Sequence, residues 1–149
     1  MKTLILILGI ILTTSCSDDD DKSIKQNTFI SFTEIGKGAL FGNGAEGISQ
    51  SNMVITNSGD WQNLMNQMNS VNMVTNEFSE TNVDFSSYTV IAVFLEVKTS
   101  GWEVEISSIE EETSNIIVSK TENEADNFVI TQPFHVVKIP VTSKPIIFE

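Results

Sequence analysis

Hydrophobic residues recur along this chain at three spacings, and each spacing predicts a different element. From Leu4 to Leu12 they run together, broken only by Gly9. From Trp61 they fall at i, i+3, i+4 and i+7, as Trp61, Leu64, Met65 and Met68. That stripe predicts an amphipathic helix from about Gly59 to Met68, with Ser58 as its N-cap and the apolar side chains turned to a core. Elsewhere the spacing is two. Trp102, Val104 and Ile106 alternate with Glu103, Glu105 and Ser107, the mark of a strand with one buried and one wet face. Tyr88 to Val97 is instead almost wholly apolar and β-branched, as a central strand covered on both faces requires.

Shorter strand-like stretches complete the pattern: Phe29 to Ile35, Asn52 to Thr56, Ile116 to Thr121, Phe128 to Thr131, Phe134 to Pro140 and Ile146 to Phe148. Gly36, Gly38, Gly42, Gly44 and Gly47 punctuate an expected loop. The region from Ser70 to Asp84 reads as polar and irregular, and the turns expected at Thr99-Ser100-Gly101 and Glu110-Glu111-Glu112 are short. Short connections demand antiparallel neighbours, because parallel strands need long crossovers. One helix among consecutive strands predicts an α+β fold: mainly antiparallel sheet with one amphipathic helix packed on it. No repeat or second composition appears, so residues 29–149 form one domain.

Charge narrows the functional classes. The net charge is −12, and loss of Lys2 with the first fifteen residues takes it to −13. An acidic surface without a Lys/Arg stripe is repelled by polyanions, which argues against nucleic-acid binding. One cysteine and one histidine allow neither an internal disulfide nor a Cys/His zinc site within one chain. No cofactor or metal site is expected.

Lys2 followed by the apolar run matches the start of a secretory signal, residues 1–15. The run is much shorter than the roughly 20 residues that span a bilayer, so it does not read as a transmembrane helix. Thr13-Thr14-Ser15-Cys16 resembles the lipobox of bacterial lipoproteins. The resemblance implies cleavage before Cys16 and acylation there, hence a membrane contact through the lipid on Cys16. Ser17-Asp18-Asp19-Asp20-Asp21 then opens a self-repelling, solvated tether over residues 16–28. Such acidic runs resemble the surface-export signal of lipoproteins in some Gram-negative bacteria. They imply an outer-membrane protein exposed at the cell surface, with the periplasmic face as the alternative.

Chemistry-bearing residues are few. His135 is the single histidine, there is no Gly-x-Ser-x-Gly elbow, and no carboxylates form a recognisable pair. Sharing a strand face with Val137 and Ile139, His135 reads as a half-buried structural residue. Glu122, Glu124 and Asp126 alternate like calcium ligands, but without a central glycine or a closing glutamate they read as a solvated hairpin tip. For binding, the candidate turn is Thr99, Ser100, Gly101 and Trp102, with the Gly36–Gly47 stretch second. Trp102 either anchors an interface or opens the core face of the following strand.

From Trp61 to Phe148 the chain resembles the C-terminal domain of the PrcB family. The likeness rests on the helix with Trp61 near its start, Val83-Asp84-Phe85, the strand Val90-Ile91-Ala92-Val93-Phe94-Leu95, Thr99-Ser100-Gly101-Trp102, and Thr131 to Pro140. Ser100 and Trp102 depart from the family's glycine and tyrosine. The family's namesake is a lipoprotein subunit accompanying a surface protease, so the resemblance implies a non-enzymatic accessory role with a protein partner. Two other readings remain open: a hydrolase using His135 or carboxylates, and a small-ligand or glycan binder.

Overall fold

The computed structural model describes residues 28–124 and 129–149. Cys16, the acidic run Asp18 to Asp21, and Asp126 lie outside the described residues.

The described chain forms β1 (Thr28–Phe29), β2 (Thr33–Leu40), β3 (Ser51–Ile55), α1 (Ser58–Met68), a 3₁₀ turn (Val74–Glu77), β4 (Tyr88–Phe94), β5 (Trp102–Glu111), β6 (Ile116–Glu124), β7 (Gln132–Pro140) and β8 (Ile146–Phe148). One sheet has the order β1-β5-β6-β8 and the other β2-β7-β4-β3. Two cores separate three layers. Ile91, Val93 and Leu95 point into the cluster between the sheets, with Ile106, Ile109, Val118, Val137 and Ile139. Val90, Ala92 and Phe94 point the other way, onto Trp61, Leu64, Met65 and Met68 of α1. The apolar run of β4 is thus explained: its sheet is the middle layer. The fold is α+β, mainly antiparallel, with one amphipathic helix packed on a sheet.

Helix α1 starts one residue earlier than the spacing suggests, and its cap is Asn57 rather than Ser58. The Asn57 side-chain oxygen accepts from the Asp60 amide at 2.9 Å, and its amide donates to the Asp60 carboxylate at 2.7 Å. Both bonds satisfy or brace the first turn, and Asp60 suits the positive end of the helix. The Trp61 indole is buried and donates to the Thr81 carbonyl at 2.9 Å, which ties the irregular segment to the helix. Within that segment Asp84 accepts from the Ser86 and Ser87 hydroxyls and the Ser86 amide. These bonds, the Ser86 hydroxyl foremost, hold its carboxyl below the usual range and set the turn into β4.

Several expected boundaries move. The stretch Phe29 to Ile35 is two strands, because Ile30 and Phe32 pack toward the inter-sheet core between them. Gly36 and Gly38 belong to β2, so the glycine-rich loop begins only after Leu40. A Cβ at Gly36 would lie 2.3 Å from the Phe78 ring, itself stacked on Trp61; the glycine is there for close approach, not for a turn. Positive φ values do occur further on, at Asn43, Gly44 and Gly47. The Glu110-Glu111 pair closes β5 instead of forming a turn, and β6 continues through Glu124. Val129 and Ile130 are not in a strand, while Thr131 makes an isolated bridge with Lys98.

The antiparallel rule fails once. Strand β8 lies parallel to β6, with Ile116 beside Ile146. Between them the chain crosses to the other sheet as β7, which supplies the long connection that a parallel pair needs. No helix among the described residues is long and apolar enough to cross a membrane.

Candidate functional site

The two stretches singled out for binding, far apart in sequence, form opposite walls of one cleft. Glu34, Lys37, Gly38, Ala39 and Phe41 come from β2 and the residue after it; Gly101, Trp102, Glu103 and Val104 come from the turn and the start of β5. Val129 and Thr131 also line the cleft, whose volume is about 540 Å³. Its position follows from the sheets. Strand β2 is the edge of the middle layer, and β1 covers β5 only at Glu110 and Glu111, so the sandwich is open between β2 and the beginning of β5.

The Thr99-Ser100-Gly101-Trp102 turn is braced from several sides. The Trp102 indole donates to the Ser100 hydroxyl at 3.1 Å, and that hydroxyl donates to Glu124 at 2.9 Å. The Lys98 ammonium sits 4.7 Å from the centre of the Trp102 ring and 2.9 Å from Glu96. Neither Ser100 nor Gly101 takes a positive φ, so serine costs this turn no backbone strain. Trp102 opens the core face of β5 and also lines the cleft. It continues the inward alternation of the fully buried Val104 and Ile106, yet stays half-buried, with one part of its surface facing the cleft. Phe41 is 58% exposed on the opposite wall. Of the Gly36–Gly47 stretch, only the β2 part and Phe41 reach the cleft; the remaining loop packs on Glu46, whose carboxylate accepts from the Gly42 amide at 2.7 Å.

Behind the cleft lies His135, 1% exposed and therefore buried more completely than its alternation with Val137 and Ile139 suggests. Its Nδ1 accepts from the Ile106 backbone N–H at 2.8 Å, which leaves the proton on Nε2, 3.1 Å from the Glu34 carboxylate. The imidazole is thus neutral and cross-braces β7, β5 and β2. Burial pushes its pKa below the ordinary 6.5, against the opposing pull of Glu34. With both nitrogens engaged and no surface exposed, His135 has no lone pair to offer a substrate.

Electrostatics in the cleft are acidic. Glu34 and Glu103 line it, and the ammonium of Lys37 is 3.2 Å from Glu105. The described part of the alternating acidic segment is divided: Glu122 pairs with Lys120, and Glu124 accepts from Ser100. Among the described residues no three His, Cys, Asp or Glu side chains gather in a way that could hold a metal. What sequence reasoning missed is Thr131, a residue of the cleft lining whose buried hydroxyl has no hydrogen-bond partner among the described residues. Nothing in a Thr-Gln-Pro triplet signals that. No family model, no curated protein and no solved structure matches the chain.

Proposed function

We propose that this protein is a lipoprotein, anchored through Cys16 in the outer membrane and exposed at the cell surface, that acts as a non-enzymatic accessory subunit for another envelope protein. The observation that carries the docking half of this reading is the cleft and its placement. The described chain enters at Thr28, which pairs with Glu111 at one end of β5, while Trp102 starts the strand at the other. Ten strand residues separate these points by about 30 Å. A domain tethered through residues before Thr28 therefore carries its cleft away from its attachment point, where a partner can reach it. The anchor rests on the residues around Cys16, and the periplasmic face remains the alternative leaflet.

An accessory role also agrees with the chemistry of the cleft. Its exposed aromatic, half-buried tryptophan and strand edges are the components of a protein-docking surface. The PrcB-like order of elements from Trp61 to Phe148 supports the same reading and suggests an envelope protease as partner.

The test is crosslinking in intact cells followed by recovery in gentle detergent, with Phe41→Ser beside the natural chain. Because Phe41 is 58% exposed, the substitution should leave stability within about 0.5 kcal/mol. Loss of an aromatic anchor should lower partner recovery about tenfold. Recovery of monomer alone from the natural chain would overturn the proposal.

A further inference from the structure

Both walls of the cleft end in strand edges, and the directions of their backbone groups can be derived. In β7 the Pro133 carbonyl accepts from the Leu95 amide, so the main chain at Pro133 faces β4. Main-chain groups alternate along a strand. Phe134 and Val136 therefore face β2, where they pair with Gly38 and Gly36. It follows that the N–H and C=O groups of Lys37 and Ala39 point away from β7, toward the open edge. Ser79 covers that edge only further back, where its amide donates to the Ile35 carbonyl at 2.8 Å. On the facing wall the Ile106 N–H turns to His135 and away from β6, so the groups of Val104 and Trp102 turn the same way. Lys37, Ala39, Trp102 and Val104 all line the cleft, and no strand pairs with this side of any of them among the described residues.

We propose that the cleft takes one extended segment of a partner polypeptide, in which Lys or Arg alternates with apolar residues and which adds to β2 as a strand through the backbone of Lys37 and Ala39. This rests on the accessory reading above and names the chemistry that its docking site recognises.

Three observations select this occupant. First, β2 is an approachable edge. Edges are normally blunted by charged side chains, but the one charge in its central stretch, Lys37, is drawn to Glu105, and its neighbours are Gly36 and Gly38. Second, the cleft supplies apolar surface at Phe41, Trp102 and Val104. Third, the walls are acidic. Glu34 and Glu103 are offset by Lys37 alone, which itself lies against Glu105, so a basic segment is matched and an acidic one repelled. By the same argument the chain's own run Asp18 to Asp21 carries the wrong sign, and a second copy, at −12, is opposed as well.

The experiment titrates the full-length chain, in mild detergent, with an octapeptide of four Lys-Val repeats. The comparison peptides are four Glu-Val repeats and the Lys-Val peptide with alternate backbone amides N-methylated. N-methylation removes the pairing donors of one strand edge and leaves charge unchanged. We expect the Lys-Val peptide to bind, to move the Lys37 and Ala39 amide resonances, and to weaken in high salt. The Glu-Val and N-methylated peptides should each bind about tenfold more weakly or not at all. Ala39→Pro should have the same effect as N-methylation, since proline is tolerated where an edge N–H faces outward. Equal binding of the N-methylated peptide, or no binding of the Lys-Val peptide, overturns the proposal without depending on how the proline variant folds. If Ala39→Pro and natural chains recover the same partner from cells, the accessory reading stands and edge pairing falls. If neither recovers one, the accessory reading itself fails.

Discussion

Replacing Cys16 by serine should abolish acylation of the chain and loosen its hold on the membrane. Attachment by acyl chains grows by about 0.8 kcal/mol per buried methylene, so one chain holds marginally and several hold essentially permanently. Serine offers no thiol for the diacylglyceryl group, and with it go the cleavage and amine acylation that the lipobox resemblance implies. None of the described helices is long and apolar enough to cross a membrane in its place. Fractionation with intact-mass measurement reads the result. The natural chain should begin at Cys16 and carry fatty acids; the variant should carry none. A natural chain that carries no fatty acids would remove the lipid from the account.

The second large effect is expected at His135. Truncation to alanine empties imidazole volume between the sheets and leaves the Ile106 N–H buried without its acceptor. The cavity and the orphaned donor together should cost about 3–5 kcal/mol, measured by denaturant unfolding near pH 8. The same residue fixes a pH dependence. Its folded pKa is depressed below 6.5 by burial. The unfolded chain therefore takes up a proton near 6.5 while the folded chain does not. The stability this residue contributes is fully present above 6.5 and is lost as pH falls from there toward the folded value, with a limiting slope of about 1.4 kcal/mol per pH unit. Being the single histidine, it can be isolated. His135→Gln, which keeps a hydrogen-bonding side chain but does not titrate, should flatten stability just below pH 6.5. An unchanged slope would mean that the imidazole is already charged in the fold.

These two residues also mark how far the sequence could be read. Alternation placed His135 on the face of Val137 and Ile139, and that face is indeed the inter-sheet core. Its hydrogen bonds were not legible, because the Ile106 N–H is available only where β1 stops short of covering β5. The stripe Trp61, Leu64, Met65 and Met68 announced α1, since a helix packed on one side must repeat its contacts every turn. The uninterrupted run in β4 announced a middle layer for the complementary reason: both faces are covered. Strand β2 hid behind Gly36 and Gly38. Glycine ordinarily breaks a strand, and here the Phe78 ring occupies the space that a side chain at Gly36 would need. The parallel pairing of β8 was hidden too, because chain direction in a three-residue strand is set by tertiary packing and not by any turn.

The candidate site was legible in halves. The glycine-rich stretch and the Thr99 turn could each be marked, one by composition and one by an aromatic beside a tight turn. Their meeting could not, because it depends on the way the two sheets stack and on which edges they leave open. Thr131 carried no signal at all; it lines the cleft, and its buried hydroxyl has no partner among the described residues.

The central claim, that a partner docks in the cleft at the end of the domain remote from its attachment, is tested most directly by photo-crosslinking in living cells. A photoreactive residue would replace Phe41 at the cleft in one strain and Val71, 47% exposed just beyond α1, in another. The account predicts one discrete, higher-mass adduct from position 41 and none from position 71. Adducts from both positions alike, or from position 71 alone, would contradict it.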